Sequence, residues 1–342
     1  MTAPLDGETL RLRREIEELK ADRARWVARC LENGRTLGRI RRLRERAAGP
    51  IAPMPVIVGA PRSGTTLLRF MLDAHPLLAI PPETGFLMQA AAISPGGFAA
   101  RDSLFRLVTA FPPEAPTWDD FGLRRDEFLA ELESIEPFER ADGFRAFYRL
   151  YASSQNKPRY GDKTPLYCEH LDTIRAVLPE ARFLHIIRDG RDTALSLRPM
   201  WFAPGQDIAS LAASWKRHVT RARLAGWGDE DYLEVRFERL VTDTEAVLRE
   251  VCEFVELPFD AAMLRYFERA PQRLEQHVAR HSASGELLVS HEQRIEQHRL
   301  TVRPPAPERI YRWKDEMSAE EQVEFQEVAG ELLGELGYEL RA

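Results

Sequence analysis

Cysteine is scarce in this sequence. Cys30, Cys168 and Cys252 are the only three in 342 residues, far apart and odd in number. That excludes a disulfide framework and a C-x-x-C metal pair, and makes a reducing compartment the simplest setting. Long apolar runs are missing too. No window approaches the roughly 18 apolar residues of a membrane span. The first residues lack the apolar stretch of a secretory signal, so a cytoplasmic protein is expected. Nor is there an overall excess of positive charge. The net charge of -6 excludes a generic nucleic-acid binder. With 20 Gly, 23 Pro, 44% hydrophobic and 30% charged residues, collagen-like, coiled-coil-only and disordered chains are also excluded.

What remains is a chain long enough for one sizeable α/β body and an appendage. The charge is uneven. Residues 1–50 carry 13 Lys/Arg and 8 Asp/Glu, a local +5, which leaves -11 on the other 292. Leu12, Ile16, Leu19, Trp26 and Cys30 follow a 4-3 rhythm that Arg23 interrupts. A helical hairpin or extension is expected over 1–50. It would lie on the body, on a second copy of the chain, or on an acidic partner or membrane surface.

The body starts at residue 51. Pro55-Val56-Ile57-Val58-Gly59 and the run Ala181 to Ile187 read as buried strands, and Tyr232 to Phe237 as a third. Helices are expected over 67–72, 192–199 and Thr244 to Phe254. Strands alternating with helices predict a three-layer α/β sandwich around a mostly parallel sheet. Residues 95–160 are helical and aromatic-rich, a substrate wall or cap. Residues 270–308 lack clear periodicity and read as a long loop near the active site. Their histidines 277, 281, 291 and 298 have no ligand-like spacing, so no metal is expected. Ser318 and Glu321 form a capping box that opens a final helix over about 318–336.

One loop carries chemistry. Gly59, Gly64 and Thr66 match G-x-x-x-x-G-K-[ST], but Thr65 stands where the phosphate-gripping lysine belongs. Arg62 supplies positive charge two positions before Gly64. The backbone N–H groups at the helix start form an anion nest, with Ser63, Thr65 and Thr66 adding hydroxyls. A phosphate is expected there rather than a Mg-nucleoside triphosphate. The plain alternative is a structural turn.

The stretch from Val58 to Arg69, continuing to Leu72-Asp73-Ala74-His75-Pro76, resembles the 5′-phosphosulfate loop of the PAPS-dependent sulfotransferases. PAPS is 3′-phosphoadenosine 5′-phosphosulfate. The pattern is similar to the bacterial and tyrosylprotein-sulfotransferase-like branch. A second segment, Phe183 to Ser196, matches the part of the family that grips the 3′-phosphate, which maps to Arg188 and Ser196. A third, Gly161-Asp162-Lys163-Thr164-Pro165, resembles the lysine segment beside the sulfonate. In a fourth, Ile80 to Thr84, Glu83 lies 21 residues after Arg62, as the catalytic glutamate does in the tyrosylprotein pattern. Near the C-terminus, Glu308 to Lys314 resembles the basic-Trp segment, and the cofactor-contacting basic residue maps to Arg312. Read alone, each has a bland alternative: a surface ion pair of Arg188 with Asp189, a solvated Lys163, or a helix-start carboxylate at Glu83.

The resemblance implies a sulfotransferase that binds PAPS, releases PAP (the 3′,5′-bisphosphate), and requires no metal. Arg62, Ser63, Gly64, Thr65, Thr66, Arg188, Ser196 and Arg312 would hold the nucleotide. Arg62 and Lys163 would stabilise the transferring group. Glu83 would be the general base, with a pKa raised by burial. The acceptor would be a hydroxyl of a small molecule, glycan or peptide. Phe237 replaces a cofactor-contacting tyrosine of the tyrosylprotein enzymes, and the Cys pairs of secreted members are absent, which fits a cytoplasmic protein. The other readings are a P-loop small-molecule kinase or nucleotide-binding protein, and a non-catalytic scaffold acting through the basic head. Homo-oligomerisation through the N-terminal helices is a further expectation.

Overall fold

Val56, Ile57 and Val58 are solvent-free although consecutive strand residues face opposite ways. Only a strand covered on both faces allows this. The structure, a computed structural model that describes residues 51–341, places that strand, β1 (Met54–Val58), inside a four-stranded sheet. The basic segment 1–50 and its expected helices lie outside the described residues. The other strands are β2 (Asp162–Lys163), β3 (Ala181–Ile187) and β4 (Tyr232–Arg236). The order is β2-β1-β3-β4, and every pair is parallel.

The register explains the two faces. Val56 pairs with Phe183, and Ile57 with Leu184. Val56, Val58 and Phe183 pack into a core with Phe144, Phe147 and Tyr148. Ile57, Leu184, Ile186 and Val235 pack on the other side with Leu68, Met71 and Leu72. Those last three belong to helix α1 (Thr65–Asp73), which follows the glycine loop. Helix α2 (Thr244–Phe254) has the expected limits and adds Val247, Leu248 and Val251 to the same core. A third core gathers Ile187, Trp215, Phe325 and Leu333. It is completed by helix α3 (Ala319–Glu335), whose Ser318–Glu321 capping box is formed.

Three expectations change. Lys163 is not a solvated side chain: it is buried, and Asp162 and Lys163 form β2, paired with Val56 and Ile57 of β1. Two residues carry no readable alternation, so long-range pairing alone defines that strand. The segment 270–308 is not a bare loop. It contains a hairpin (Arg280–His281 with Leu287–Val289) and a helix over His291–Gln297 with its own capping box. The cap does contain helices, over Phe98–Ala110, Arg125–Glu133 and Arg140–Ser154. Its aromatics, however, pack on one another as core. Trp118, Phe121 and Phe128 all lie against Phe147.

Because all four strands are parallel, their C-terminal tips share one edge. Gly59, Thr164, Arg188 and Phe237 follow directly from those tips. In open α/β sheets this edge is where ligands bind. No helix among the described residues is long and apolar enough to cross a membrane.

The edge is tightly packed. Gly190 opens the helix after β3, and a Cβ there would sit 2.5 Å from the Trp215 ring and 2.6 Å from Phe325. Gly190→Ala is expected to destabilise by about 1–3 kcal/mol through overpacking, read as a lower Tm. An unchanged Tm would show that the two rings yield freely.

Candidate active site

The loop 59–64 has the shape of a cradle because two glycines let it press against its neighbours. Gly59 has φ 152°, and a Cβ there would lie 2.5 Å from the Ile186 carbonyl oxygen. Gly64 has φ 107°, and its Cβ would lie 2.4 Å from the Phe237 ring. Arg62 itself adopts φ 71°, an uncommon left-handed conformation for a side-chain-bearing residue. Unpaired N–H groups at the start of α1 then face outward.

A cavity of about 530 Å³ opens over the sheet edge. Its wall includes Arg62, Gly64, Thr65, Thr66, Glu83, Lys163, Arg188 and Ser196, so eight residues singled out from sequence converge. Ser63 is buried beneath the loop, with its hydroxyl unpartnered among the described residues. Arg312 is not on the wall and pairs with Glu316 at 3.0 Å. Arg309, three residues earlier, is on the wall instead.

Glu83 does not sit in the first turn of the helix over Phe86–Ala92, which has Gly85 as its cap and no acidic residue. Its Oε1 accepts a hydrogen bond from Lys163 Nζ at 2.5 Å, and Nζ also reaches Thr66 Oγ1 at 3.5 Å. The Lys163 side chain is almost fully enclosed, whereas Glu83 exposes 49% of its side chain, as expected for a group projecting into a cavity. Burial pushes the Glu83 carboxyl up, but Lys163 outweighs it, with Arg280 adding. The net shift is downward. The expected raised pKa is therefore corrected, because an ammonium within hydrogen-bond distance wins over desolvation. Burial lowers Lys163 from its ordinary value, opposed by Glu83.

Arg188 leaves the tip of β3 and is buried. It donates to the Arg309 carbonyl at 2.7 Å and to the Arg62 carbonyl at 3.5 Å, and lies 4.5 Å from the Phe237 ring centroid. Its carboxylate neighbour is Asp192 at 3.5 Å, not Asp189. Asp189 is occupied by Arg191 and caps the helix Gly190–Leu197. Asp192 accepts from the backbone N–H groups of Tyr311 and Trp313, so it ties the basic-Trp segment to the site. Ser196 lies in that same helix and faces the cavity with Arg188.

Sequence reasoning missed part of the wall. His277, Arg280, Arg294 and His298 all come from the segment without periodicity. Their rank in the sequence shows nothing; the fold delivers them. Arg294 clamps Asp120 of the cap at 2.6 and 2.7 Å and reaches His277 Nδ1 at 2.9 Å. His277 in turn stacks on His298, with 5.6 Å between ring centroids. Burial, then Lys163 and Arg62, hold His298 down at about 3, so it is a neutral imidazole. His185, in contrast, is a core residue bonded to the Tyr232 hydroxyl at 2.5 Å. Among the described residues no group of three or more His, Cys, Asp or Glu is placed to hold a metal ion.

A parallel α/β sheet with a glycine cradle and converging arginines at its edge defines an anion-binding enzyme class. A model of the sulfotransferase family matches residues 53–261, and the chain belongs to that family. It is 25% identical over 221 residues to protein-tyrosine sulfotransferase A of Caenorhabditis elegans, covering 63% of this chain and 53% of that protein. It is 26% identical over 301 residues to protein-tyrosine sulfotransferase 1 of Danio rerio, covering 85% and 73%. The chain spans only 40% of the Drosophila melanogaster protein-tyrosine sulfotransferase that it also matches. The fold is similar to the sulfotransferase domain of the curacin biosynthetic pathway (TM-score 0.54, 19% identity, 85% of this chain and 99% of that one). It is also similar to the sulfotransferase domain of the Synechococcus PCC 7002 olefin synthase (TM-score 0.51, 22% identity, 84% and 96%).

Removing the ammonium tests the electrostatic account. In Lys163→Ala the Glu83 carboxyl should titrate higher than in the wild type, because its largest lowering partner is gone while burial still acts upward. Carbon-13 NMR of labelled glutamate reads this directly. A Glu83 titration that stays depressed would mean Lys163 is not its controlling partner.

Proposed function

We propose that the chain moves a sulfonyl group from PAPS to a hydroxyl of an acceptor, with Glu83 as general base. The observation that carries this reading is the cavity in which the Arg62 loop, Lys163 and Arg188 converge on the Glu83 carboxylate. The residues suit the donor. Buried polar atoms without a partner among the described residues, Ser63 Oγ, Arg62 Nε and Arg188 Nε, belong to the glycine cradle and the strand tip beside it. A bisphosphorylated nucleotide offers acceptor oxygens for such donors.

The donor supplies an activated sulfonyl group on its 5′-phosphate. Arg62 and the N–H groups of 62–66 would hold that phosphate, and Arg188 with Ser196 the 3′-phosphate. The acceptor hydroxyl would lie between Glu83 and the sulfur. As its oxygen bonds to sulfur, its proton passes to Glu83. The old bond from sulfur to the phosphate oxygen breaks, and its electron pair stays on that oxygen. Lys163 and Arg62 stabilise the charge that gathers there. In the free protein Lys163 is committed to Glu83. A sulfonate-side oxygen that draws Lys163 away would release the carboxylate to act as base.

Three measurements test the reading. Glu83→Gln should lower kcat by about 10²- to 10⁴-fold with PAP affinity nearly intact. Arg188→Ala should weaken PAP binding about 10- to 100-fold, the range for a lost charge-assisted hydrogen bond. Calorimetry should show PAP bound in preference to ATP with Mg. Tighter binding of Mg-ATP would favour the kinase reading and overturn this one.

A further inference from the structure

Behind the cavity wall, one buried carboxylate joins the two segments that carry Glu83 and Lys163. Asp162 and Thr84 are their chain neighbours, and both are buried. Neighbouring residues of an extended chain point to opposite sides. Glu83 and Lys163 therefore face the cavity while Thr84 and Asp162 face the core.

Asp162 Oδ2 accepts from Thr84 Oγ1 at 2.6 Å and from the Tyr148 hydroxyl at 2.8 Å. Its Oδ1 accepts from Thr164 Oγ1 at 2.9 Å. Thr164 Oγ1 in turn accepts from the backbone N–H of Thr84 at 3.2 Å. The Thr84 hydroxyl spends its one proton on Asp162, so the Tyr167 hydroxyl, 2.7 Å away, donates to Thr84 Oγ1. Tyr167 then accepts from the Leu87 N–H at 3.0 Å. Every proton has one place, provided that Asp162 is ionised. A proton on Asp162 would force at least one of those hydroxyls to turn its own proton away from the carboxyl.

We propose that Asp162 is a positioning residue for the reaction: its carboxylate, through Thr84 and the adjoining strand, sets the distance between Glu83 and Lys163. The inference rests on the proposed sulfonyl transfer. The groups that face Asp162 are Thr84 from the Glu83 loop, Tyr148 from the cap, and Lys163, Thr164 and Tyr167 from its own segment. Burial raises Asp162 to about 6, opposed by the three hydroxyls and Lys163. The carboxylate form is therefore present above that pH and is lost below it.

Thr84→Val keeps the shape and removes the hydroxyl; Thr84→Ser restores a hydroxyl. Thr84→Val should lower kcat about 10- to 100-fold, as expected when reacting groups are misplaced. PAP affinity should change little, and Tm should fall only by the loss of the buried hydrogen bonds of one hydroxyl. The acid limb of kcat should move to higher pH, because Asp162 loses a bond that favours its charge. Thr84→Ser should recover both. NMR titration of Glu83 gives a reading independent of turnover: its pKa should rise in Thr84→Val and not in Thr84→Ser. An unshifted acid limb and an unshifted Glu83 in Thr84→Val would overturn the inference. So would loss of PAP affinity and Tm in step with kcat, which marks a purely structural knot. If the wild type neither bound PAP nor transferred from PAPS, the sulfotransferase reading would fail, and the Glu83 titration would still decide the role of Asp162.

Discussion

The site depends on how closely the glycine loop approaches β3 and the residue after β4. At Gly59 and Gly64 there is no room for a Cβ: the Ile186 carbonyl and the Phe237 ring occupy it. This contact brings Arg62 within reach of Arg188, whose guanidinium donates to the Arg62 carbonyl. Residues 126 positions apart in sequence thus share one crevice. The parallel register makes the approach possible: β1 ends at Val58, opposite His185, while β3 runs two residues further, so the loop after β1 lies against Ile186. A bulkier residue at either glycine would push the loop from the sheet edge and widen the gap that the arginines span.

Crowding cations has an electrostatic cost, and the chain meets it locally. Desolvation and neighbouring arginines disfavour the charges of both Arg62 and Arg188. Backbone carbonyls compensate: Gln297 accepts from Arg62 and Arg309 from Arg188. The Phe237 face adds a cation–π contact to Arg188. Phenylalanine at this position therefore has a structural use. It packs against Gly64 and supports the arginine without needing a hydroxyl. The net -11 of residues 51–342 and the basic crevice do not conflict, because charge is arranged at the scale of side chains.

Much of this was legible because several segments have their own physics. Buried apolar runs announced β1 and β3, and the capping box announced α3. The glycine spacing and its missing lysine announced the cradle. What escaped was whatever depends on distant chain. β2 is two residues long and exists by pairing with β1. His277, Arg280, Arg294 and His298 reach the wall because Asp120 of the cap holds Arg294 and the His277–Val278 turn. Of the two readings of 95–160, substrate wall or cap, the aromatics do not serve the first: Phe144, Phe147 and Tyr148 are core, because apolar rings bury against each other whenever the fold permits.

The Glu83–Lys163 pair is the place where electrostatics and the proposed chemistry meet. A carboxylate held below its usual pKa is a weak base, which at first argues against its role. The pair, however, is a property of the free protein. Lys163 is nearly enclosed, and its other polar contact is Thr66 at the start of α1, where a phosphate would be cradled. Its ammonium therefore sits between two claims: the carboxylate in front and the anion nest behind. An anion in the nest competes for it, and each step it takes toward that anion raises the basicity of Glu83, since burial alone acts upward. On the proposed reading, the base is thus inactive while the donor site is empty and strengthens as the donor arrives. The buried carboxylate of Asp162 fixes the geometry in which that exchange of partners happens.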